Sequence, residues 1–152
     1  MPASPPVPAP GSIALRALNW LTAVHVQSYR LSGGRIGGKL KCAPVLLLDH
    51  VGRRSGTQRT SPLLYLADGP DVVVVGSAGG REATPAWWLN LRAAPETTVQ
   101  VGSERRRVRA RVATGEERER LWISLVEMFP DYDVYRQRTS REIPVIVLSP
   151  VA

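Results

Sequence analysis

The chain of 152 residues has one cysteine, Cys42, one phenylalanine, Phe129, and two histidines, His25 and His50. A lone cysteine excludes an intramolecular disulfide and any zinc site built from several thiolates. The histidines show no metal-ligand spacing, so both read as structural or solvated and no metal is expected. No His/Asp pair or coupled carboxylates stand out as acid–base or nucleophilic machinery. No run approaches the roughly 20 apolar residues of a membrane span, and no signal peptide is evident. Lysine is almost missing too. It occurs only at Lys39 and Lys41, so a net charge of +7 is built almost wholly from arginine. A reducing, cytoplasmic setting and anionic partners follow as expectations. Nucleic acid, an acidic membrane surface and a polyanionic cofactor all suit that charge, and a high-GC genome also enriches arginine.

What is present centres on Val51 to Leu66, VGRRSGTQRTSPLLYL. It lies between the apolar runs Pro44–Leu48 and Leu63–Leu66 and gathers Gly52, Arg53, Arg54, Ser55, Gly56, Gln58, Arg59, Thr60 and Ser61 into one expected turn. Glycines let a backbone turn and bring bare N–H groups to a ligand. Guanidinium forks and hydroxyls add donors suited to phosphate or carboxylate oxygens. A solvated hairpin loop has the same composition, and no Gly-Lys-Ser/Thr ending marks a Walker loop.

Residues 1–11 are proline-rich and read as a disordered tail. Ser12 is a candidate N-cap for a helix to about Leu31, with Ile13, Leu15, Leu18, Leu21 and Val24 at near-helical spacing. That helix either docks on the domain or lies on a membrane with Trp20 and Arg16 at the interface. SGGRIGGKLK follows as a Gly-rich elbow, closing a segment from 12 to 42. The remaining residues, 43–152, form the main domain. Pro44–His50, Leu63–Ala67 and Asp71–Gly76 are expected strands joined by short turns, which means an antiparallel meander.

Thr84-Pro85 is an expected N-cap and first helical residue for a short helix carrying Trp87 and Trp88, one ring filling the core and the other lining a cleft or both packing inside. Thr97–Val101 and Arg105–Val112 read as a hairpin, with Arg107, Arg109 and Arg111 on one face and Val108, Ala110 and Val112 buried on the other. Gly115–Phe129 is an amphipathic helix, and Tyr132 and Tyr135 share a face if their segment is helical. Ile143–Leu148 is a last strand, and Pro144 makes it an edge or a strand start.

Four segments in this order and spacing carry a resemblance: GRRSGTQRTSPLLYL, VVVVGSAGG, PAWWLNLRAAPETTVQVG and FPDYDVYRQRTSREIPVIVL. Over Ala43 to Pro150 the chain resembles the deazaflavin-dependent nitroreductase family. The resemblance implies an α+β split β-barrel, mainly antiparallel, with about six or seven strands and flanking helices. It also implies coenzyme F420 as hydride donor to a small-molecule acceptor, a quinone or another conjugated or nitro compound. Arg53, Arg54, Ser55 and Arg59 would hold the phosphate and acidic tail. Thr60, Ser61, Pro62, Leu63 and Leu64, then Val75, Gly76, Ser77 and Ala78, then Ala86, Trp87, Trp88, Leu89 and Asn90 would line the deazaflavin and its ribityl chain. Tyr132 would close the pocket, with Tyr132, Tyr135 and Ser77 as candidate catalytic groups.

Two positions depart from that pattern. Many relatives carry lysine where Ala78 stands, which removes one contact to the tail. Nitroimidazole-reducing members carry tyrosine where Phe129 stands, and phenylalanine cannot donate to a nitro group. An FMN-binding split-barrel protein and a non-catalytic F420 carrier are the alternatives. A nucleic-acid binder is not expected, because the aromatics are not interleaved with the basic strand.

Overall fold

The computed structural model describes residues 12–151, so the expected tail at 1–11 lies outside the described residues. After a first helix, α1 (Ile13–Ser32), come β1 (Lys39–Leu40), β2 (Ala43–Val51), β3 (Gln58–Leu64), β4 (Leu66–Asp68) and β5 (Asp71–Val75). α2 (Ala86–Ala93), β6 (Glu96–Val101), β7 (Glu104–Val112), α3 (Gly115–Met128), α4 (Asp131–Arg138) and β8 (Val145–Pro150) complete the chain. Every strand pairing is antiparallel. The order runs β1-β2-β6-β7-β8-β5-β4, and β3 returns to β2. Because β3 and β4 are one path bent at Tyr65, its first half bonds β2 and its second bonds β5. The ring therefore closes as a split barrel, which removes most exposed edges.

Alternation along the strands explains the apolar runs. Leu46, Leu48, Val72, Val74, Val99, Val108, Ile146 and Leu148 fill the barrel interior, and Trp88 and Leu91 of α2 join them. The intervening Val73, Val75, Val145 and Val147 face outward and are covered by Leu121, Trp122, Leu125, Phe129 and Tyr132 of α3 and its continuation. On the opposite wall Val45 and Leu47 are covered by Val26 and Tyr29 of α1. With both faces buried, β2, β5 and β8 need Leu, Ile or Val at successive positions. Truncating one of them, such as Leu48→Ala, costs about 2–5 kcal/mol.

α1 starts where Ser12 Oγ accepts the Leu15 N–H at 3.1 Å, and it ends at Gly33, whose φ of 63° only glycine adopts freely. Its docked face adds polar ties. Arg30 donates to Asp49 Oδ1 at 2.9 Å, Thr60 Oγ1 at 3.2 Å and Gln100 Oε1 at 3.2 Å. The Tyr29 hydroxyl accepts the Gly102 N–H at 2.8 Å. The opposite face leaves Ile13, Trp20, Leu21, Val24 and Leu31 exposed.

Four details correct the reading of the sequence. Residues 58–61 belong to β3 and not to the turn: His50, Asp49 and Leu48 pair with Arg59, Thr60 and Ser61, so polarity there marks the end of a barrel and not a loop. The helix cap falls on Pro85 rather than Thr84, since the Pro85 carbonyl accepts the Leu89 N–H at 3.2 Å. Val112 is exposed, being the last residue of β7 where the strand leaves the wall. The last strand, β8, begins at Val145 and not Ile143 and is interior, paired with β5 and β7, so of the two roles expected for Pro144 the strand start holds and the edge does not. The basic stripe of β7 is neutralised, with Arg109 on Glu96 at 2.9 Å and Arg111 on Glu117 at 2.6 Å.

Candidate cofactor site

The β2–β3 connection spans residues 52–57, and its geometry follows from its glycines. Gly52 N donates to Thr57 O at 2.9 Å, and Gly56 N donates back to Gly52 O at 2.8 Å. A Cβ at Gly52 would stand 2.5 Å from Ser55 Oγ and displace that hydroxyl, and Gly56 takes φ 70°, the left-handed region that glycine adopts freely. The turn and the start of α2 enclose a cleft of about 360 Å³ lined by Gly52, Arg53, Arg54, Ser55, Arg59, Ala86 and Asn90. None of Arg53, Arg54 and Arg59 is ion-paired with a described carboxylate. Three guanidinium groups thus converge with their charge unneutralised, the electrostatic requirement for binding an anion.

Below the turn lies a polar chain. Arg53 donates to Asn90 Oδ1 through its backbone N at 3.1 Å and through Nη1 at 3.4 Å. Asn90 Nδ2 is 3.0 Å from His50 Nδ1, and His50 Nε2 is 2.9 Å from Ser61 Oγ. His50 and Asn90 are buried. Burial, helped by the neighbouring Arg59 charge, holds the His50 pKa below its ordinary 6.5, so the ring is neutral near pH 7.

Along β3 the expected site residues divide between two compartments. Ser61 points to the barrel interior with His50, and Leu63 packs on the interior core. Thr60, Pro62 and Leu64 take the outer face. Thr60 is committed to Asp49 and Arg30. Pro62 and Leu64 line a groove of about 450 Å³ whose far side is His25, Gly37, Lys39 and Leu40. Leu64 also packs against the outer core, the cluster to which Tyr132 belongs. Arg59 and Pro62 are three residues apart on one strand, roughly 10 Å. The charged cleft and the apolar groove therefore lie close along β3 but open on its opposite faces.

Phe129, Tyr132 and Tyr135 form a cluster, with ring centroids 5.0 Å apart for Phe129–Tyr132 and 6.3 Å for Tyr132–Tyr135. Tyr132 is only 4% exposed, and its hydroxyl makes no hydrogen bond to any described residue. Desolvation raises its pKa above the usual phenol range, which keeps it protonated and a donor at every working pH. Val75 is in the outer core, while Gly76 packs so tightly on Pro144 that a Cβ would meet Pro144 Cγ at 2.7 Å. Ser77 is buried, and its carbonyl accepts from Arg141 Nη2 at 3.0 Å. Ala78 takes φ 48°, an unusual left-handed conformation for a residue with a Cβ. On α2, Ala86 borders the charged cleft, Trp88 is buried, and Trp87 lies edge-on to it with centroids 6.5 Å apart. Leu89 is half-buried.

The structure thus brings Arg53, Arg54, Ser55 and Arg59 together with Ala86 and Asn90. It separates Ser61 from Pro62 and Leu64, while Leu63 packs on the interior core and also borders their groove. Sequence reasoning missed His50, whose signal was parity with the inward Leu46 and Leu48, and Arg141, which braces the 77–81 loop through Ser77 O and Arg81 O. It also missed the Arg30–Asp49 pair, which no local pattern announces.

A family model described as F420H(2)-dependent quinone reductase matches residues 21–150. An F420H(2)-dependent quinone reductase of Mycobacterium tuberculosis is 38% identical over 133 residues, 85% of this chain and 89% of its own. A second protein of that organism, provisionally named for the same activity, is 47% identical over 117 residues, 76% of this chain and 98% of its own. Among solved structures, an F420-H2 dependent reductase aligns with a TM-score of 0.65 at 36% identity, covering 70% of this chain and 94% of that one. The resemblance to deazaflavin-dependent reductases holds, and quinone reductase replaces nitroreductase as the family description. This chain belongs to the F420H(2)-dependent quinone reductase family.

Proposed function

We infer that this protein is an oxidoreductase that binds reduced F420 and passes its hydride to a quinone-type acceptor. The observation that carries the reading is the unneutralised cleft of Arg53, Arg54 and Arg59, with the apolar groove of Pro62 and Leu64 roughly 10 Å further along β3. A polyanion with a flat apolar ring needs a charged site and an apolar one within its own length. The cofactor supplies the hydride chemistry when bound. The protein's residues supply the rest. Arg53, Arg54, Arg59 and Ser55 hold the phosphate and acidic tail, and Pro62 and Leu64 offer the ring a dry wall. Tyr132, protonated and without an internal partner, donates toward negative charge developing on the acceptor. Tyr135 stands beside it as a further donor, and Ser77 is the third candidate.

A lipid-soluble acceptor also gives a use to the outer face of α1, where Ile13, Trp20, Leu21, Val24 and Leu31 are exposed near Arg16. No described helix is long and apolar enough to cross a membrane. Contact would be peripheral. Sedimentation with anionic vesicles tests it, and Trp20→Ser should lower the bound fraction.

Titration with F420 and with FMN, following quenching of the tryptophans beside the cleft, tests the cofactor assignment. F420 should quench and saturate while FMN binds far more weakly. Arg54→Ala and Arg59→Ala should each weaken F420 binding by about 1–3 kcal/mol, as for charged hydrogen bonds, with melting unchanged. Tighter binding of FMN than F420 would overturn the assignment.

A further inference from the structure

We propose that His50 is a positioning residue: as its Nε2–H tautomer it locks Asn90 in the one orientation that keeps the Arg53 backbone N–H paired, and so presets the anion turn. The proposal rests on reading that turn as the cofactor's anion site. It follows from counting donors. A backbone N–H can only donate, so the Asn90 atom 3.1 Å from Arg53 N must be the amide oxygen. Arg53 Nη1, also a pure donor, reaches the same atom at 3.4 Å. The Asn90 NH₂ therefore faces His50 Nδ1 at 3.0 Å, and that nitrogen must be bare. In a neutral imidazole the proton then sits on Nε2, donated to Ser61 Oγ at 2.9 Å. Ser61 keeps its own hydrogen for another acceptor.

The surroundings select this state. Arg59 faces His50 from the paired position on β3, Arg53 reaches it through Asn90, and Asp49, the adjacent residue on β2, spends its carboxylate on Arg30 and Arg105. No carboxylate accepts from the His50 ring among the described residues. An imidazolium would set N–H against NH₂. Turning Asn90 over would relieve that clash but aim the NH₂ at Arg53 N–H, leaving a donor unpaired. Four groups from β2, β3, the turn and α2 are thus coupled into one arrangement that serves the turn without touching a ligand.

Nitrogen-15 spectra of the full-length, ligand-free protein at pH 7 should show His50 protonated at Nε2 alone; a proton on Nδ1 overturns the proposal. Hydrogen exchange at the Arg53 amide provides a second readout that needs no cofactor. His50→Asn places an amide oxygen near the Nδ1 position and should keep Arg53 exchange and F420 affinity within about threefold of wild type. His50→Gln places its amide near the Nε2 position, loses the acceptor for Asn90, and should speed Arg53 exchange and weaken F420 binding by about tenfold, the loss of one bond. Equal effects of the two variants would reduce His50 to packing and overturn the proposal. Asn90→Asp covers the case in which His50→Gln does not fold. Its carboxylate still accepts from Arg53 and should pull a proton onto Nδ1, so that His50 titrates above pH 7; an unmoved titration refutes the coupling. If wild type binds no F420 yet shows the Nε2–H tautomer and a protected Arg53 amide, the cofactor assignment fails and the coupling stands.

Discussion

Replacing Arg30 with methionine tests how the first helix is held over the apolar groove. Its guanidinium makes three hydrogen bonds, at 2.9 Å to Asp49, 3.2 Å to Thr60 and 3.2 Å to Gln100, and its side chain is 24% exposed. Bonds to charged groups contribute roughly 1.5–3 kcal/mol each, but these three act as one unit and are partly screened. Asp49 is not stranded by the change, because Arg105 at 3.1 Å and Thr60 at 2.8 Å remain. The net loss should therefore be about 2–3 kcal/mol, and methionine keeps the stem packed. Thermal melting should fall by roughly 4–10 °C for a domain of this size. The loss should also be local: amide exchange should quicken along the second half of α1 while β6–β8 stay protected. Because His25, Gly37, Lys39 and Leu40 form the side of the groove that faces Pro62 and Leu64, the F420 dissociation constant should rise as well. A melting point within 1 °C of wild type, with α1 exchange unchanged, would refute the clamp.

Tyr132→Phe should lower kcat for quinone reduction about tenfold, as expected when one donor to developing charge is lost, while F420 affinity holds; rates per cofactor-titrated site at wild-type level would remove that hydroxyl from the chemistry. Lys41 and Cys42 occupy the β1–β2 turn with φ of 48° and 65°, so Cys42→Gly should relieve left-handed strain of about 1 kcal/mol and raise melting by roughly 2–4 °C in differential scanning. Arg120 holds the Asp68 pKa below its ordinary 3.8, and Arg111 holds that of Glu117 below 4.5. Their stabilisation is complete above those values and is lost as pH falls through the lower native ones. His50, held below 6.5, adds an earlier step, because the unfolded chain takes up that proton first as pH drops. Melts from pH 7 to pH 3 should show stability declining from about pH 6.5 in wild type, with the first decline absent in His50→Asn.

The barrel was legible because its strands repeat a simple physical demand. Val72 to Val75 and Val145 to Leu148 bury alternate residues inside and outside, so unbroken apolar runs report two-sided burial directly. The grouping of Arg54, Ser55 and Arg59 at one cleft was legible because they lie within six positions of one another around the glycines of a single connection. The boundary at Gln58 was not, since polar residues at a barrel mouth look the same as residues in a loop until their partners on β2 are known. Nor was the commitment of Asn90, 40 positions from His50, because a hydrogen bond between α2 and β2 leaves no periodic trace. Tyr132 and Tyr135 are neighbours on a helix, as their spacing allows, but how deeply Tyr132 sits depends on Trp122 and Phe129 closing around it.

The alternation along β3 has an evolutionary consequence. Arg59 and Ser61 address the barrel mouth while Thr60, Pro62 and Leu64 address the outer wall, so one strand serves two tasks by odd and even positions. Such an arrangement tolerates a change of residue at any single site far better than a change of frame. Shifting the strand by one position would exchange the two sets, bringing Thr60 beneath the arginines and Ser61 to the α1 side. Descendants of this sequence can therefore retune the charged side and the apolar side independently by point substitution. Indels between Val51 and Gln58 survive only where the turn absorbs them without moving β3 against β2.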